Sequence, residues 1–199
     1  MIKPRFALLA LILPLAGCLK LGGDPPPPTL FTLSSPPVAS AARTAAAGEA
    51  VTVAVPNVPQ AIRTLRIAVR VSPTEYAYMK DAQWIEQPNR LFQRQLSDAI
   101  GARTGLVVLD PDQTTVDPGK RLTGQLLEFG MDASDPADRR AVIRYDAVIA
   151  SADRRSIDAR RFGAVQPVAS MQPAAAARAL DQVSLQLADA VAQWLTTVK

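Results

Sequence analysis

Three successive runs in the C-terminal half, over 121–131, 141–150 and 156–168, dominate what this chain can become. In the middle one, Ala141, Ile143, Tyr145, Ala147 and Ile149 alternate with Val142, Arg144, Asp146 and Val148. A period of two sends successive side chains to opposite faces of a strand. Turns containing Asp and Arg separate the runs, with Pro136 in the first, and this spacing predicts an antiparallel meander. A different period follows over 173–198. There Leu180, Val183, Leu187, Val191 and Trp194 recur at three and four, opposite Asp181, Gln182, Gln186, Asp189 and Gln193. This is an amphipathic helix, and Pro173 suits its first turn. An apolar sheet face and an apolar helix stripe must each be buried, and each can cover the other.

The N-terminal half supplies shorter pieces. Strands are expected over 30–33 and over 51–55, the latter stopped by Pro56 and Pro59. Over 65–71, Leu65, Ile67, Val69 and Val71 take one face and Arg66, Ala68 and Arg70 the other, as in a half-buried strand. A short strand over 75–78 precedes a stretch, 81–88, that leads into a helix over 89–103. That helix carries the stripe Phe92, Leu96, Ala99 and Ile100 and ends at Gly105 in the manner of a C-cap. Residues 38–48 read as a loop and 106–109 as a short buried strand. The expected fold is α+β: a single domain with a mostly antiparallel or mixed sheet of about seven strands and two amphipathic helices on one face. A length of 199 residues suits one domain.

The first residues belong to a different system. Lys3 and Arg5 precede an apolar stretch over 6–13, too short to span a bilayer, which takes about 20 residues. The flanks fit a secretory signal. Leu15-Ala16-Gly17-Cys18 then resembles the bacterial lipobox, in which small residues let a membrane peptidase reach the bond before the Cys. The Cys18 thiol would carry diacylglycerol and its freed amine a third acyl chain, and two or more chains anchor stably. Gly22, Gly23 and Pro25 to Pro28 form a tether, partly extended as polyproline. The expected layout is a signal peptide over 1–17, a lipidated Cys and tether over 18–29, and a domain over 30–199. Leu19 stands where the inner-membrane retention signal of enteric bacteria has Asp, so the outer membrane is the expected address.

Chemistry is constrained by what is missing. The chain has no His and only one Cys. There is no Ser-His or Cys-His pair, no His-ligated zinc and no internal disulfide. No phosphate-binding glycine motif occurs. Asp110, Asp112 and Asp117 lack the Gly and Glu of a calcium loop, since Thr115 and Arg121 take those places. A carboxylate enzyme such as a glycosidase has Glu75, Glu86 and Glu128 available but no distinctive context for them. Arginine is dense at Arg139, Arg140, Arg144, Arg154, Arg155, Arg160 and Arg161, offset by Asp146, Asp153 and Asp158. An ion-paired sheet edge is the favoured reading, ahead of a basic rim for anionic lipid or an acidic partner. No aromatics interleave these arginines and the net charge is only +4, so nucleic acid is not expected. Tyr76, Tyr78 and Trp84, with Trp194 on the last helix, are candidates for the core or for a partner surface.

The order of these features resembles the ABC-type transport auxiliary lipoproteins. Behind the lipobox, Leu30-Phe31-Thr32-Leu33-Ser34 stands where that family has a Tyr-Tyr-x-Leu-type strand, with Phe31 in place of a Tyr. The stretch 53–59 is similar to its Pro-spaced segment, and 65–70 to its Ile-Val-x-Arg strand. Glu75-Tyr76-Ala77-Tyr78 followed by Trp84-Ile85-Glu86 resembles its Tyr-rich strand and Trp-Ala-Glu, and Gln87-Pro88 departs from it. Arg161-Phe162 and the final helix through Trp194 also fit. The resemblance implies a non-enzymatic component of a transport system built on a mammalian-cell-entry (MCE) domain protein, a permease and an ATPase, which moves lipid between the inner and outer membranes. It further implies anchoring on the periplasmic face of the outer membrane and docking to the MCE-domain protein, with a homo-oligomer left open. No cofactor is implied beyond the lipid on Cys18. The alternative is a structural or assembly-accessory envelope lipoprotein with no transport role. Cys18→Ala is expected to abolish metabolic palmitate labelling and to leave an unprocessed precursor, read by gel mobility. Unchanged labelling would contradict the anchor.

Overall fold

The computed structural model describes residues 28–35, 44–46, 49–110, 112, 119–151 and 156–198. Cys18, most of the tether, Asp117, Arg154 and Arg155 lie outside these residues. The elements are β1 (Thr29–Phe31), β2 (Ala50–Val53), a 3-10 turn (Gln60–Ile62), β3 (Arg66–Ser72), β4 (Glu75–Trp84), α1 (Pro88–Thr104), β5 (Val107–Leu109), β6 (Gly119–Asp132), β7 (Arg140–Ser151), β8 (Ile157–Pro167) and α2 (Pro173–Leu195). Eight strands make one mixed sheet and both helices are present, so the fold is α+β as expected.

The 14 residues of β6 organise the sheet. Along one edge β6 pairs antiparallel with β7 from Lys120 to Asp132, and β7 pairs with β8, which is the meander read from the sequence. The other edge is divided. Its first part pairs in parallel with β2, which carries β5 outside it. Its last part, Gly130 to Asp132, pairs in parallel with β3, which carries β4 and then β1. Between them Asn57 bridges Gln125, and its carbonyl accepts the Leu126 N–H at 2.8 Å. The divided edge thus keeps its backbone groups paired, as a buried strand requires.

A bulge inside β6 decides which side chains face the core. Leu126 pairs with Tyr145 and Glu128 with Arg144, so Leu127 is an extra residue on this strand. Before it, Leu122 and Leu126 are buried; after it, Phe129 and Met131 are buried. Unbroken alternation would have sent Glu128 and Asp132 into the core with Leu122 and Leu126. β7 has no such shift, and Ala141, Ile143, Tyr145, Ala147 and Ile149 are all buried. The Tyr145 phenol, whose ionisation burial pushes far above its ordinary range, donates to the Thr123 carbonyl at 3.0 Å.

The helices pack on this apolar face and on each other. Every residue of both expected stripes is buried. Pro88 and Pro173 occupy the first turns, and Gly105 closes α1 at φ 72°, a conformation that costs glycine little. Phe92 meets Tyr145 edge-on at 5.2 Å, and Phe162 meets Trp194 at 5.6 Å. A polar cluster stitches the N-terminal segment to this pair. Asp181 on α2 accepts the Ser34 N–H at 2.7 Å and the Ser34 hydroxyl at 2.9 Å. Gln95 on α1 donates to the Ser34 carbonyl at 2.6 Å and accepts from the buried Ser184 hydroxyl.

One expectation is corrected. β4 does not stop at Tyr78, and residues 81–84 are strand rather than a lead into the helix. The register steps from Ala68–Tyr78 to Arg66–Gln83, so β4 carries a wide bulge containing Asp81 at φ 53°. The bulge turns Trp84 inward, where it meets Phe129 edge-on at 5.7 Å. Four strand pairs, β1–β4, β2–β5, β2–β6 and β3–β6, are parallel, which local alternation does not reveal. Deleting Leu127 joins Leu126 directly to Glu128, so plain alternation keeps Glu128 outside and Phe129 inside, and the domain should lose no more than about 2 kcal/mol. Leu127→Ala keeps the count and should cost about 1 kcal/mol. Urea titration of both variants followed by circular dichroism tests this.

Candidate binding groove

The bulge at Leu127 places Glu128, Gly130 and Asp132 on the sheet face opposite the helices, and strand register supplies their neighbours. Tyr76 on β4, Arg70 on β3, Asp132 on β6 and Arg140 on β7 form one row across the sheet. Tyr78, Ala68, Gly130 and Val142 form the next, and Glu128 pairs with Arg144 beyond it. The middle row is shallow at its centre, where Ala68 and Gly130 stand side by side. A Cβ on Gly130 would lie 2.5 Å from the Ala68 carbonyl, so the approach of β3 to β6 excludes any larger residue there. The result is a groove of about 360 Å³, whose lining includes Ile62, Ala68, Tyr76, Gly130 and Arg144.

Its charges are strongly coupled. Arg70 donates to the Asp132 carboxylate at 2.6 Å and approaches Glu128 at 3.4 Å. Arg140 lies 3.5 Å from Asp132 and 3.2 Å from Asp138. Arg144 lies 3.5 Å from Glu128. The Asp132 side chain is 3% exposed. Burial opposes its ionised form, but hydrogen bonds from Arg70 and from the Ser134 hydroxyl and N–H outweigh it, holding the carboxyl well below the usual carboxylate range. It is therefore ionised at neutral pH, with no proton to give as a general acid. Glu75 and Glu86 stand at opposite ends of β4, and Glu86 is ion-paired with Arg94, so these two do not converge with Glu128.

The partner-surface candidates separate. Tyr76 is 45% exposed at the groove wall. Tyr78 is half-buried, under the Arg66 guanidinium at 4.8 Å, and donates to the Ala61 carbonyl at 3.1 Å. Trp84 and Trp194 are both buried in the core. In the arginine-rich region, Arg140, Arg144 and Arg161 are ion-paired, Arg161 twice to Asp146 at 2.6 and 2.7 Å. Arg160 lies over Phe162 at 5.1 Å. The sequence places Arg70 on the polar face of a strand and at the Arg of the Ile-Val-x-Arg resemblance, and does not single out Asp132. Asp132 carries one local sign, an Asx-type turn onto Ser134, while its pairing with Arg70 spans 62 positions and needs the register.

The model of the ABC-type transport auxiliary lipoprotein component matches residues 31–192. The chain belongs to this family. Family members are auxiliary lipoproteins of ABC-type transport, which makes this an envelope-associated component. Among the described residues no helix is long and apolar enough to cross a membrane. A search of curated proteins gives no match. The crystal structure of XCC0632 from Xanthomonas campestris is similar with a TM-score of 0.71 at 19% identity, over 84% of this chain and 94% of that one. That of an uncharacterized protein follows at 0.68 and 12%, over 85% and 99%. These likenesses establish the shared fold.

Asp132→Asn should destabilise the family domain by about 2–4 kcal/mol at pH 7, since it leaves Arg70 and Arg140 facing an uncharged group. The sign with pH follows from the depressed folded-state value. The wild-type advantage is full above the unfolded carboxyl value of about 3.9 and shrinks as pH falls below it. Thermal melts of both proteins should therefore keep a constant gap from pH 7 to about pH 4 and begin to approach each other only below it.

Proposed function

We propose that this auxiliary lipoprotein serves an MCE-type ABC lipid transport system as a non-catalytic docking or channel component. In this reading Cys18 carries the lipid anchor, and the protein sits on the periplasmic face of the outer membrane. The observation that carries the proposal is the family match over 31–192 lying behind a lipobox. The groove supports it in a second way. Its carboxylates are ion-paired with arginines and Asp132 is held ionised, which suits recognition of a polar surface better than proton transfer. The helices already cover one sheet face, so the opposite face is left for the MCE-domain protein, with Tyr76 as its exposed aromatic contact and Tyr78 behind it.

Affinity capture of the lipidated protein from its own cells in mild detergent, followed by mass spectrometry, is expected to recover an MCE-domain protein. Tyr76→Ala, which removes an exposed side chain, should lower that recovery at least fivefold while leaving the melting temperature within about 2 °C. Recovery of other envelope proteins without an MCE-domain protein would overturn the transport reading and favour a structural role.

A further inference from the structure

Exposed apolar side chains lie where β2 and β4 end and β3 and α1 begin, beside β1. Seven large apolar side chains are exposed among the described residues, and four of them, Leu30, Val55, Leu65 and Ile85, belong to this region. Backbone hydrogen bonds place them together. The Trp84 N–H donates to the Leu65 carbonyl at 2.6 Å, and the Ile85 N–H to the Phe31 carbonyl at 2.8 Å. Asn89, in the first turn of α1, donates to the carbonyl of Pro56, the neighbour of Val55, at 3.1 Å. Exposed Arg63, Arg66 and Arg90 flank the patch and none is ion-paired among the described residues, while Glu86 is taken by Arg94 and Asp81, further along β4, lies 4.0 Å from Lys80. The patch is therefore apolar with a basic rim.

The chain itself indicates what could cover it. β1 runs parallel to β4 toward this patch, with Thr29 opposite Ala82 and Leu30 opposite Gln83. The chain leading to Cys18 thus joins the domain on the strand that carries Leu30. Cys18 precedes Thr29 by 11 positions, a reach of at most roughly 36 Å when fully extended. That distance keeps the patch within reach of any bilayer holding the acyl chains. Confinement of this kind raises the effective concentration of a weak contact enough to populate it. Apolar side chains beside arginines are the composition that settles into the headgroup region of an anionic bilayer. The Ser34–Asp181–Gln95 cluster secures the tether's root to the helices, so the patch is presented in a defined orientation.

We infer that Leu30, Val55, Leu65 and Ile85, with Arg63, Arg66 and Arg90, form a surface that rests on the anionic bilayer carrying the Cys18 anchor. This rests on the lipoprotein reading above. It predicts a domain lying with its β1–β4 edge toward the membrane and β8, the opposite sheet edge, away from it.

The test uses the full lipidated protein reconstituted on vesicles of phosphatidylethanolamine and phosphatidylglycerol. Acylation occupies Cys18, so an introduced Cys is the single free thiol. An environment-sensitive fluorophore on Ile85→Cys is compared with the same probe on Ile157→Cys, which lies on β8 and is 69% exposed. Flotation with the vesicles reports the anchor. Quenching by spin-labelled lipid reports the patch, and is expected at position 85 at least threefold more strongly than at position 157. Combining Arg63→Glu, Arg66→Glu and Arg90→Glu should remove that difference without stopping flotation. Equal, weak quenching at both positions in floating protein overturns the inference alone, including when position 85 becomes shielded only on adding the captured partner protein. Failure to float overturns the lipoprotein reading and this inference with it.

Discussion

One strand supports the hydrogen bonds of three others. β6 pairs with β7 along its whole length, and its second edge must satisfy both β2 and β3. Both constraints hold only because Asn57 bridges the gap, and because the extra residue at Leu127 changes the phase of the strand partway along. Before the bulge β6 supplies Leu122 and Leu126 to the helix-facing core; beyond it, Phe129 and Met131. The groove and the core are two consequences of the same irregularity, since a bulge that keeps Phe129 inside also turns Glu128 and Asp132 outside.

The groove illustrates how a buried charge stays ionised. Asp132 is nearly inaccessible, and its ionised form stands because Arg70 and Ser134 bond to it directly. Removing either sign would leave the other unpaired in a poorly solvated place. The cluster ties β3 and β6, strands far apart in sequence, at the end where their pairing is shortest. The Arg161–Asp146 pair on the same sheet has similar geometry but lies more open to water, so it contributes less to stability. The Ser34 cluster has an equivalent role at the other end of the chain, securing the short β1 to two helices where three residues of ladder alone would hold it weakly.

Much of this fold was legible in local patterns. The stripes Phe92–Leu96–Ala99–Ile100 and Leu180–Val183–Leu187–Val191–Trp194 announced both helices, since burial of one helical face imposes its period on the sequence. β7 and its antiparallel neighbours were legible for the corresponding reason at period two. β4 was not. Its bulge breaks the alternation after Tyr78, and Asp81 adopts a positive φ that reads as a turn. Trp84 and Trp194 illustrate the same limit for the site. A Trp within an apolar pattern suits a core or a partner surface equally well, and only packing against Phe129 and Phe162 distinguishes them.

The sequence by itself determined the helices, the meander, the α+β class and the family, because each is written in short-range periodicity or in the order of motifs along the chain. The tertiary structure alone decided which strands became parallel neighbours, which residues met in the groove and where the exposed apolar side chains gathered. These depend on register between segments tens of residues apart. Register is set by one inserted residue and one bridging asparagine, whose effect exists only once the strands have paired.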